Sequence, residues 1–284
     1  MTRLAIVADI HHGAPSHTKR GDAALDLLAD FARFAADAKA DAAIDLGDRI
    51  SDIDRATDLR LAAEVAEAFR AVSAPRHHVD GNHDLAFLEP EDNAAALGRN
   101  AGHQTLDLDG WRIALWRADA RIRREPGAAG FRLSEPDLLW LSRTVQAADR
   151  PLLIVSHVPL SGHAQTGNYY FEENPEVSAY PETPRIRAAL AQARVPVVCL
   201  AGHVHWNTVT TVDGVTHLTQ QSLTESFTTE GEPAAAMGLI ELGETLRWRV
   251  EGRDPIAVEI TPRAARWTPR LGRFAGLPPR GAAA

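Results

Sequence analysis

The chain has 284 residues, of which 45% are hydrophobic and 24% charged, and its formal net charge is −8. This apolar content is enough for one large α/β domain, and an acidic chain without basic runs argues against a groove for a nucleic-acid polymer. No apolar run approaches the ~20 residues that span a bilayer, and "MTRLAIVADIHHG" lacks the apolar core of a signal peptide. Cys199 is the single cysteine and cannot form an intramolecular disulfide, so we expect a cytoplasmic protein without membrane association.

Strand and helix patterns alternate through the first part of the chain. Buried apolar runs that end in polar residues predict strands, and apolar residues at helical spacing predict amphipathic helices between them. This βαβαβ order favours a largely parallel central sheet with helical crossovers. The predicted strands are 3–9, 41–48 and 75–82, and the predicted helices are 22–39 and 55–72.

The pattern changes further along the chain. A hairpin is predicted over 103–118, turning at Asp109-Gly110, and short strands over 208–259 predict a second, antiparallel sheet. We therefore expect one domain over 1–261, followed by an arm rich in Pro and Arg over 262–284. The intervening elements are a helix over 134–147, a strand over 151–157, a long loop over 159–184 that could cap a site, a helix over 185–193 and a strand over 195–203.

Five predicted strands end in similar polar chemistry. In a parallel sheet these ends lie along one edge, where open α/β folds place their sites. Asp, His and Asn are ligands suited to divalent transition metals, and a thiolate site is excluded because no second cysteine exists. The i, i+2 spacing within the first and last motifs places each pair on one side of an extended segment. The motifs are Asp9-x-His11, Gly47-Asp48, Gly81-Asn82-His83-Asp84, His157 and Gly202-His203-x-His205.

Each motif has an ordinary alternative interpretation. Gly, Asn and Asp are common turn formers, so Gly-Asn-His-Asp alone would more often be a turn than a site. An isolated Asp-x-His is usually structural, and Gly-His-x-His is only moderately specific. The occurrence of all five motifs in this order, each at a strand end, favours a site over a set of turns.

These motifs resemble, in order and spacing, those of the calcineurin-like metallophosphoesterases over about residues 1–220. Chain length and compact spacing are most similar to the bacterial cyclic-nucleotide and glycerophosphodiester phosphodiesterase branch. The resemblance implies an α/β fold in which two central sheets, mixed and partly parallel, pack as a sandwich between helices, in four αββα layers. Arg49 departs from the fullest family pattern, which commonly has an apolar residue there.

The resemblance also implies roles for individual residues. Asp48 would bridge two transition metal ions, whether iron, manganese, zinc or cobalt. His83 would act on the leaving group without binding metal, and Asp84 would orient His83. One ion would be held by Asp9, His11 and His205, and the other by Asn82, His157 and His203.

The implied reaction is hydrolysis of a small phosphodiester, and by extension of a phosphomonoester. Two cations ~3.5–4 Å apart would clamp the phosphoryl oxygens, and a hydroxide bound to them would attack phosphorus, because metal binding lowers the pKa of water to about 7. His83 would donate a proton to the leaving oxygen, a contribution on the order of 10²–10⁴ in rate. The motifs do not separate a cyclic nucleotide from a glycerophosphodiester, an alkyl phosphodiester or a monoester.

Candidate substrate contacts lie in two loops. The first follows His11, and the second is the long loop whose aromatic residues could stack on a nucleobase or simply cover the site. For both loops the alternatives are a solvated excursion or packing against another copy of the chain, so a homo-oligomer stays open. The candidates are His12, Lys19, Arg20, His163 and Tyr169.

Two other classes of function compete with a small-substrate phosphoesterase. A non-catalytic protein-binding scaffold of the same fold would be expected to have lost ligands or the acid histidine, and this chain has the whole set. A nuclease acting on long DNA is disfavoured by the acidic balance and the lack of an added basic domain.

Overall fold

Two six-stranded mixed β-sheets form the centre of the protein. The computed structural model describes residues 1–124, 129–163 and 165–264. Most of the predicted C-terminal arm, from residue 265 onwards, lies outside the described residues. The strands, in chain order, are β1 (Thr2–Val7), β2 (Ala42–Asp45), β3 (Arg76–His78), β4 (Gln104–Leu108), β5 (Trp111–Leu115), β6 (Leu152–Val155), β7 (Val197–Ala201), β8 (Thr208–Val212), β9 (Val215–Thr219), β10 (Met237–Leu242), β11 (Leu246–Glu251) and β12 (Ile256–Ile260).

The strand order brings predicted parallel strands together in both sheets. The first sheet has the order β12-β11-β10-β1-β2-β3, and the second has the order β4-β5-β6-β7-β9-β8. Within the first sheet β1, β2 and β3 are parallel, and within the second β5, β6, β7 and β9 are parallel. β2, β6 and β7 are buried along their length, as expected when a sheet is covered on both faces.

Helices cover the outer face of each sheet. The predicted helices are present, with ends that differ from the prediction by at most three residues, and the short helix α3 is additional. It begins at Pro90 after a capping box between Glu89 and Asp92, and it ends at Gly98 in the left-handed conformation. Among the described helices, none combines the length and apolar character needed to cross a membrane. The helices are α1 (Ala24–Asp37), α2 (Arg55–Phe69), α3 (Pro90–Leu97), α4 (Glu135–Gln146) and α5 (Thr183–Leu190).

Three apolar clusters define the four layers. Phe31 of α1 and Val65 of α2 pack on one face of the first sheet. Leu141 of α4 and Ile186 of α5 pack on the outer face of the second sheet. The central cluster contains side chains of both sheets, including Trp248, so the sheets pack directly against each other. This arrangement confirms the αββα sandwich that the resemblance implied.

The strands beyond residue 208 do not form a sheet of their own, so the prediction of a separate antiparallel sheet there is wrong. β8 and β9 extend the second sheet beside β7, while β10 pairs antiparallel with β1 and carries β11 and β12 into the first sheet. The alternating burial of β11 shows which face is covered. Such a pattern does not name the pairing partner, because pairing depends on tertiary contacts.

The predicted hairpin is confirmed. β4 and β5 pair antiparallel around the two-residue turn at Asp109 and Gly110. Both turn residues have positive φ, 42° and 85°. A turn of this kind matches the twist of the strands it joins, and Asp-Gly is among its preferred sequences.

Candidate metal centre

The five predicted motifs meet at the carboxyl ends of the parallel strands. Asp9, Asp48 and Asn82 follow β1, β2 and β3 of the first sheet. His157 and His203 follow β6 and β7 of the second sheet. The sequence predicted that all five motifs lie along one edge of a single sheet. In the structure they come from two stacked sheets, whose strand ends meet at the same site.

Two groups of side chains at this edge each place their ligand atoms within 4.8 Å of one another. Asp48 belongs to both groups, so its carboxylate lies within reach of the donors of either one. The predicted ligand Asn82 is beside the second group, with its Oδ1 3.1 Å from His157 Nε2. The first group is Asp9, His11, Asp48 and His205, and the second is Asp48, His157 and His203.

The spacing of the donors fits transition metal ions. Ligand atoms about 2.0–2.2 Å from an ion, at angles of about 90–110°, are separated by about 2.8–3.6 Å. His11 Nε2 and His205 Nε2 are 3.0 Å apart. His157 Nε2 is 3.4 Å from Asp48 Oδ2, and His205 Nε2 is 3.6 Å from Asp9 Oδ1. These separations are within the range expected for donors that share one ion, so the group could hold a cation.

The protonation states of the cluster also suit cations. Burial lowers the pKa of His203 to about 3 and that of His11 well below its ordinary value. Both rings are therefore neutral imidazoles at pH 7, the form that binds metal. Burial raises the pKa of Asp9 well above its ordinary value. A cation beside Asp9 would favour its ionised form and offset that effect.

Backbone carbonyls fix the orientation of two of the histidines. His157 Nδ1 donates to the Leu46 carbonyl at 2.8 Å, and His203 Nε2 donates to the Val177 carbonyl at 2.7 Å. Because a carbonyl oxygen only accepts, the nitrogen that faces it carries a proton in each ring. In the neutral His203 ring the other nitrogen therefore carries the lone pair and faces the cluster, as metal-binding histidines require. Although burial opposes it, the Asp48 carboxylate raises the pKa of His157 to about 9, so metal binding would have to displace a proton from Nε2 of that ring.

Glu225 orients a third histidine, and the sequence analysis missed it. Its fully buried carboxylate accepts from His205 Nδ1 at 3.2 Å and from the Tyr169 hydroxyl at 2.6 Å. This contact directs His205 Nε2 into the cluster. A carboxylate behind a metal-binding imidazole fixes its tautomer and raises its basicity.

Residues 220–226 form a polar run that hydrogen-bonds to the backbone of the first motif. Ser222 Oγ donates to the Asp9 carbonyl at 2.6 Å, and Thr224 Oγ1 donates to the Ile10 carbonyl at 3.1 Å. Apart from Leu223, the residues of this run are polar or charged, and all seven are buried. The run carries neither apolar periodicity nor turn glycine, so no local signal distinguishes it from a surface loop.

Five of the seven candidate ligands have left-handed backbone conformations. Positive φ is uncommon for residues other than glycine and concentrates at functional sites. The prediction that the i, i+2 pairs lie on extended segments is therefore wrong: each strand ends first, and the chain then curls so that the side chains turn into the cluster. The residues and their φ values are Asp9 (52°), His11 (47°), Asp48 (55°), His203 (71°) and His205 (58°).

Two motif glycines make room for the carboxylates. A Cβ on Gly81 would lie 2.2 Å from Asp48 Oδ1, and a Cβ on Gly202 would lie 2.6 Å from Asp9 Oδ2. Both distances are far inside van der Waals contact. The glycines of these motifs are thus required by the close approach of the carboxylates as well as by chain turning.

Asp84 has a different role from the predicted one. Its Oδ2 accepts from the backbone N–H groups of Asp48 and Gly81, and its Oδ1 accepts from the Arg49 N–H, each at 2.9 Å. Among the described residues, Asp52 is the carboxylate that contacts His83 Nδ1. The prediction that Asp84 orients His83 is therefore corrected. Asp84 instead ties together the two turns that follow β2 and β3.

Arg49, which stands where the family commonly has an apolar residue, is buried beneath the turns that follow β2 and β3. Its guanidinium is buried and lies 2.9 Å from Asp45, 2.6 Å from Asp80 and 3.1 Å from Asp84. Asn93 Oδ1 accepts a further hydrogen bond from Nη2 at 3.1 Å. Although burial opposes ionisation, Arg49 holds the pKa of Asp45 and Asp80 below the ordinary value.

Replacing Arg49 with methionine is expected to lower the free energy of unfolding by about 3–5 kcal/mol, because buried carboxylates would lose their cation. The matched control is Arg55→Met, since Arg55 forms an exposed pair with Asp92 that contributes about 0–1 kcal/mol. Urea unfolding followed by tryptophan fluorescence measures both changes. A loss below about 1 kcal/mol for Arg49→Met would contradict the structural role.

A large cleft opens above the cluster. Its volume is about 570 Å³, within the range of small-molecule sites. We call it the main cleft, and its lining includes two of the predicted substrate contacts, Lys19 and Tyr169. The lining residues are Thr18, Lys19, Asp48, Asn82, His83, Ile122, Arg123, Arg124, Ala129, Tyr169, Tyr170, Phe171, Val177, His203 and His205.

The other three predicted substrate contacts are outside the described lining of the main cleft. His12 pairs with Glu64 of α2 at 2.7 Å, and the exposed Arg20 pairs with its neighbour Asp22. His163 accepts a hydrogen bond from a nearby backbone N–H and lines a separate cavity. These three side chains interact with neighbouring groups of the protein instead of lining the main cleft. Their closeness in sequence to the motifs did not indicate these partners.

A second, more open cleft of about 430 Å³ lies beside the first. We call it the side cleft. It shares Thr18, Lys19 and His83 with the main cleft. The side chain of His83 therefore faces both cavities, with its Nε2 3.9 Å from Asp48 Oδ2.

Proteins of known structure share the fold of this chain. A dimetal phosphatase from Danio rerio is similar in structure, with a TM-score of 0.72 at 17% identity, over 92% of this chain and 98% of that chain. A purple acid phosphatase from yellow lupin seeds has a TM-score of 0.62 at 11% identity, over 90% of this chain and 53% of that chain. At these identities the likeness shows the fold alone.

No curated protein sequence matches the chain at a significant level. The family model of the calcineurin-like phosphoesterases, however, matches residues 2–207. That match spans all five motifs and every strand end that contributes to the cluster. The chain therefore belongs to the calcineurin-like phosphoesterase family.

Proposed function

We propose that this protein is a dinuclear metal-dependent phosphodiesterase that hydrolyses small phosphate esters. The observation that supports it most directly is the position of Asp48, whose carboxylate belongs to both groups of converging donors. A carboxylate shared in this way keeps two ions close enough to act on one phosphoryl group. The activity also follows the class of reaction that names the family.

The ligand assignment within this proposal follows the two groups. Asp9, His11 and His205 would hold one ion, and His157, His203 and Asn82 the other, with Asp48 between them. This nitrogen and oxygen donor set suits iron, manganese, zinc or cobalt. When bound, such ions neutralise phosphoryl charge and supply a nucleophilic water-derived oxygen near neutral pH.

His83 is the proposed general acid. Its side chain faces the two clefts beside Asp48, and its Nδ1 contacts the Asp52 carboxylate. As the acid, His83 would carry a proton on both ring nitrogens: Asp52 accepts from Nδ1 and stabilises the cationic ring, while Nε2 carries the proton that is donated. Transfer of the Nε2 proton to the leaving oxygen would release it as an alcohol rather than as an unstable alkoxide, and would leave a neutral imidazole protonated on Nδ1.

The pair of clefts favours a diester over a monoester. A diester carries two substituents on phosphorus, and the main and side clefts meet at Thr18, Lys19 and His83. One substituent can lie in each cleft while the phosphoryl group occupies the junction. Lys19 is suited to that junction because its ammonium group, which contacts His11 Nδ1 at 3.4 Å, attracts the anionic ester.

Chelator-treated protein is expected to be inactive and to regain activity with one or more of Mn²⁺, Fe²⁺, Co²⁺ and Zn²⁺. The panel of substrates is bis-p-nitrophenyl phosphate, p-nitrophenyl phosphate, cyclic AMP and glycerophosphodiesters. We expect kcat/KM for the diesters to exceed that for the monoester at least about 10-fold, because a diester occupies both clefts.

Metal content and melting temperature provide a second readout in the same samples. Ions that bind the folded chain raise its melting temperature by mass action. Activity that persists without bound metal would contradict the metal mechanism. A preference for p-nitrophenyl phosphate over the diesters would contradict the diester assignment and leave the metal centre intact.

A further inference from the structure

The main cleft carries two arginines that the proposed reaction does not use. Arg123 and Arg124 line it together with His83, His203 and His205. They belong to a short segment whose backbone pairs with Gly130. From sequence these arginines resemble a solvated basic cluster, whereas the structure places them in the wall of the cavity above the candidate metal centre.

Arg123 is only loosely paired with the residues that the structure describes. Among them its nearest carboxylate is Asp119, whose Oδ2 is 3.8 Å from Nη2 and thus beyond hydrogen-bond distance. Its Nε is buried and has no hydrogen-bond partner among the described residues. A buried donor without a partner carries a desolvation cost, which a bound acceptor would remove.

Arg124 is exposed and forms no ion pair with any residue in the described ranges. The neighbouring Arg121 is different, because its guanidinium binds Glu89 and the backbone carbonyl of Leu85, and it is not among the residues that line the main cleft. Of these three arginines, Arg121 has close partners, whereas the two that line the cleft have no ion pair within hydrogen-bond distance among the described residues. Arg121 therefore serves as the matched control.

The same cavity has an apolar side. Tyr170, Phe171 and Ile122 all line the main cleft, and Tyr170 is 50% exposed. An aromatic face next to guanidinium groups suits a substituent that has an organic body and an anionic end. The volume of about 570 Å³ leaves room for such a body beyond the phosphoryl group.

We propose that Arg123 and Arg124 bind a second phosphate group on the substrate, away from the ester that is cleaved. Guanidinium groups bind phosphate through paired, charge-assisted hydrogen bonds, and Arg123 Nε is a donor without a partner in the described part of the chain. The substrate is then a phosphodiester with one phosphorylated substituent, such as a nucleotide or a sugar phosphate. This inference rests on the proposed phosphodiesterase function.

The test compares esters that differ only in the second phosphate. One pair is thymidine 5′-(p-nitrophenyl phosphate) with and without a 3′-phosphate, and the other is glycerol 1-(p-nitrophenyl phosphate) with and without a 3-phosphate. For the metal-loaded wild-type protein, kcat/KM is expected to be at least about 10-fold higher for the phosphorylated member of at least one pair, mainly through KM.

The variants locate the preference. In Arg123→Ala/Arg124→Ala the ratio of kcat/KM within the pair is expected to fall to about 1–3, because the charge-assisted contacts are lost. Arg123→Lys should retain part of the ratio, since it keeps the charge and loses the paired geometry. Arg121→Ala should retain the whole ratio, and melting temperatures confirm that each variant is folded.

The outcomes separate this inference from the function it rests on. Hydrolysis of both members of each pair at equal rates by the wild-type protein would overturn the second phosphate site and leave the phosphodiesterase assignment standing. A preference that survives in the double arginine variant would equally overturn it. Failure of the metal-loaded protein to hydrolyse any of the four esters would overturn the proposed function itself.

Discussion

Asp48→Asn is expected to release or misplace the metal at both positions and to lower kcat/KM more than about 100-fold. Substitution of a residue that only orients a metal ligand already costs about 10–100-fold in affinity or activity. Asp48 belongs to both groups of donors, and in the proposed dinuclear centre it would itself bind both ions. Asparagine keeps the shape of the side chain, and its oxygen can still accept the hydrogen bond that the backbone N–H of His83 donates to Asp48 Oδ1 at 2.8 Å. A loss of metal and activity would therefore result from the missing negative charge.

Elemental analysis of the dialysed variant measures the number of ions per chain. Asp149→Asn is the matched control, since its carboxylate is exposed and pairs with the adjacent Arg150. Circular dichroism establishes that both variants are folded. Two retained ions with nearly full activity in Asp48→Asn would show that Asp48 does not bridge.

His83→Ala is expected to reduce kcat by about 10²–10⁴ on a diester with an alkyl leaving group, the range for loss of a general acid. The reduction should be much smaller on a p-nitrophenyl ester, because p-nitrophenolate leaves without a proton. Both ions should remain bound, since His83 is outside both groups of converging donors.

The two leaving groups distinguish proton donation by His83 from stabilisation of charge. An equal reduction on both esters would assign His83 to charge stabilisation and contradict proton donation. Asp52→Asn provides a graded test, because it keeps His83 in place and removes the carboxylate that contacts Nδ1. Its effect should have the same dependence on leaving group with a smaller magnitude.

The sequence predicted the five parallel strands that precede the candidate ligands, and for most of them the reason is local. β2, β6 and β7 are short runs buried along their length, such as Leu152–Val155, and a candidate ligand follows each of them closely. Burial of both faces makes such runs visible without knowledge of the neighbours. The ordered series of five motifs also identified the family.

Residues that act through tertiary contacts were not predictable in this way. Glu225 reaches His205 from 20 positions further along the chain, and Asp52 reaches His83 from 31 positions before it. Neither residue is in a pattern that distinguishes it from an ordinary carboxylate of a loop. The sequence showed only that Arg49 differs from the common family residue. Its structural role depends on three carboxylates that folding brings together from the end of β2 and the turn after β3.

The amino-acid sequence by itself determined that polar donors follow the parallel strands and that they belong to a metallophosphoesterase set. Only the tertiary structure decided how β8 to β12 divide between the two sheets, which carboxylates orient the histidines, and that Arg123 and Arg124 face the main cleft. The physical reason is that strand formation depends on the burial of neighbouring residues. Strand pairing, hydrogen-bond partners and cleft lining depend on groups distant in the chain, which only folding brings together.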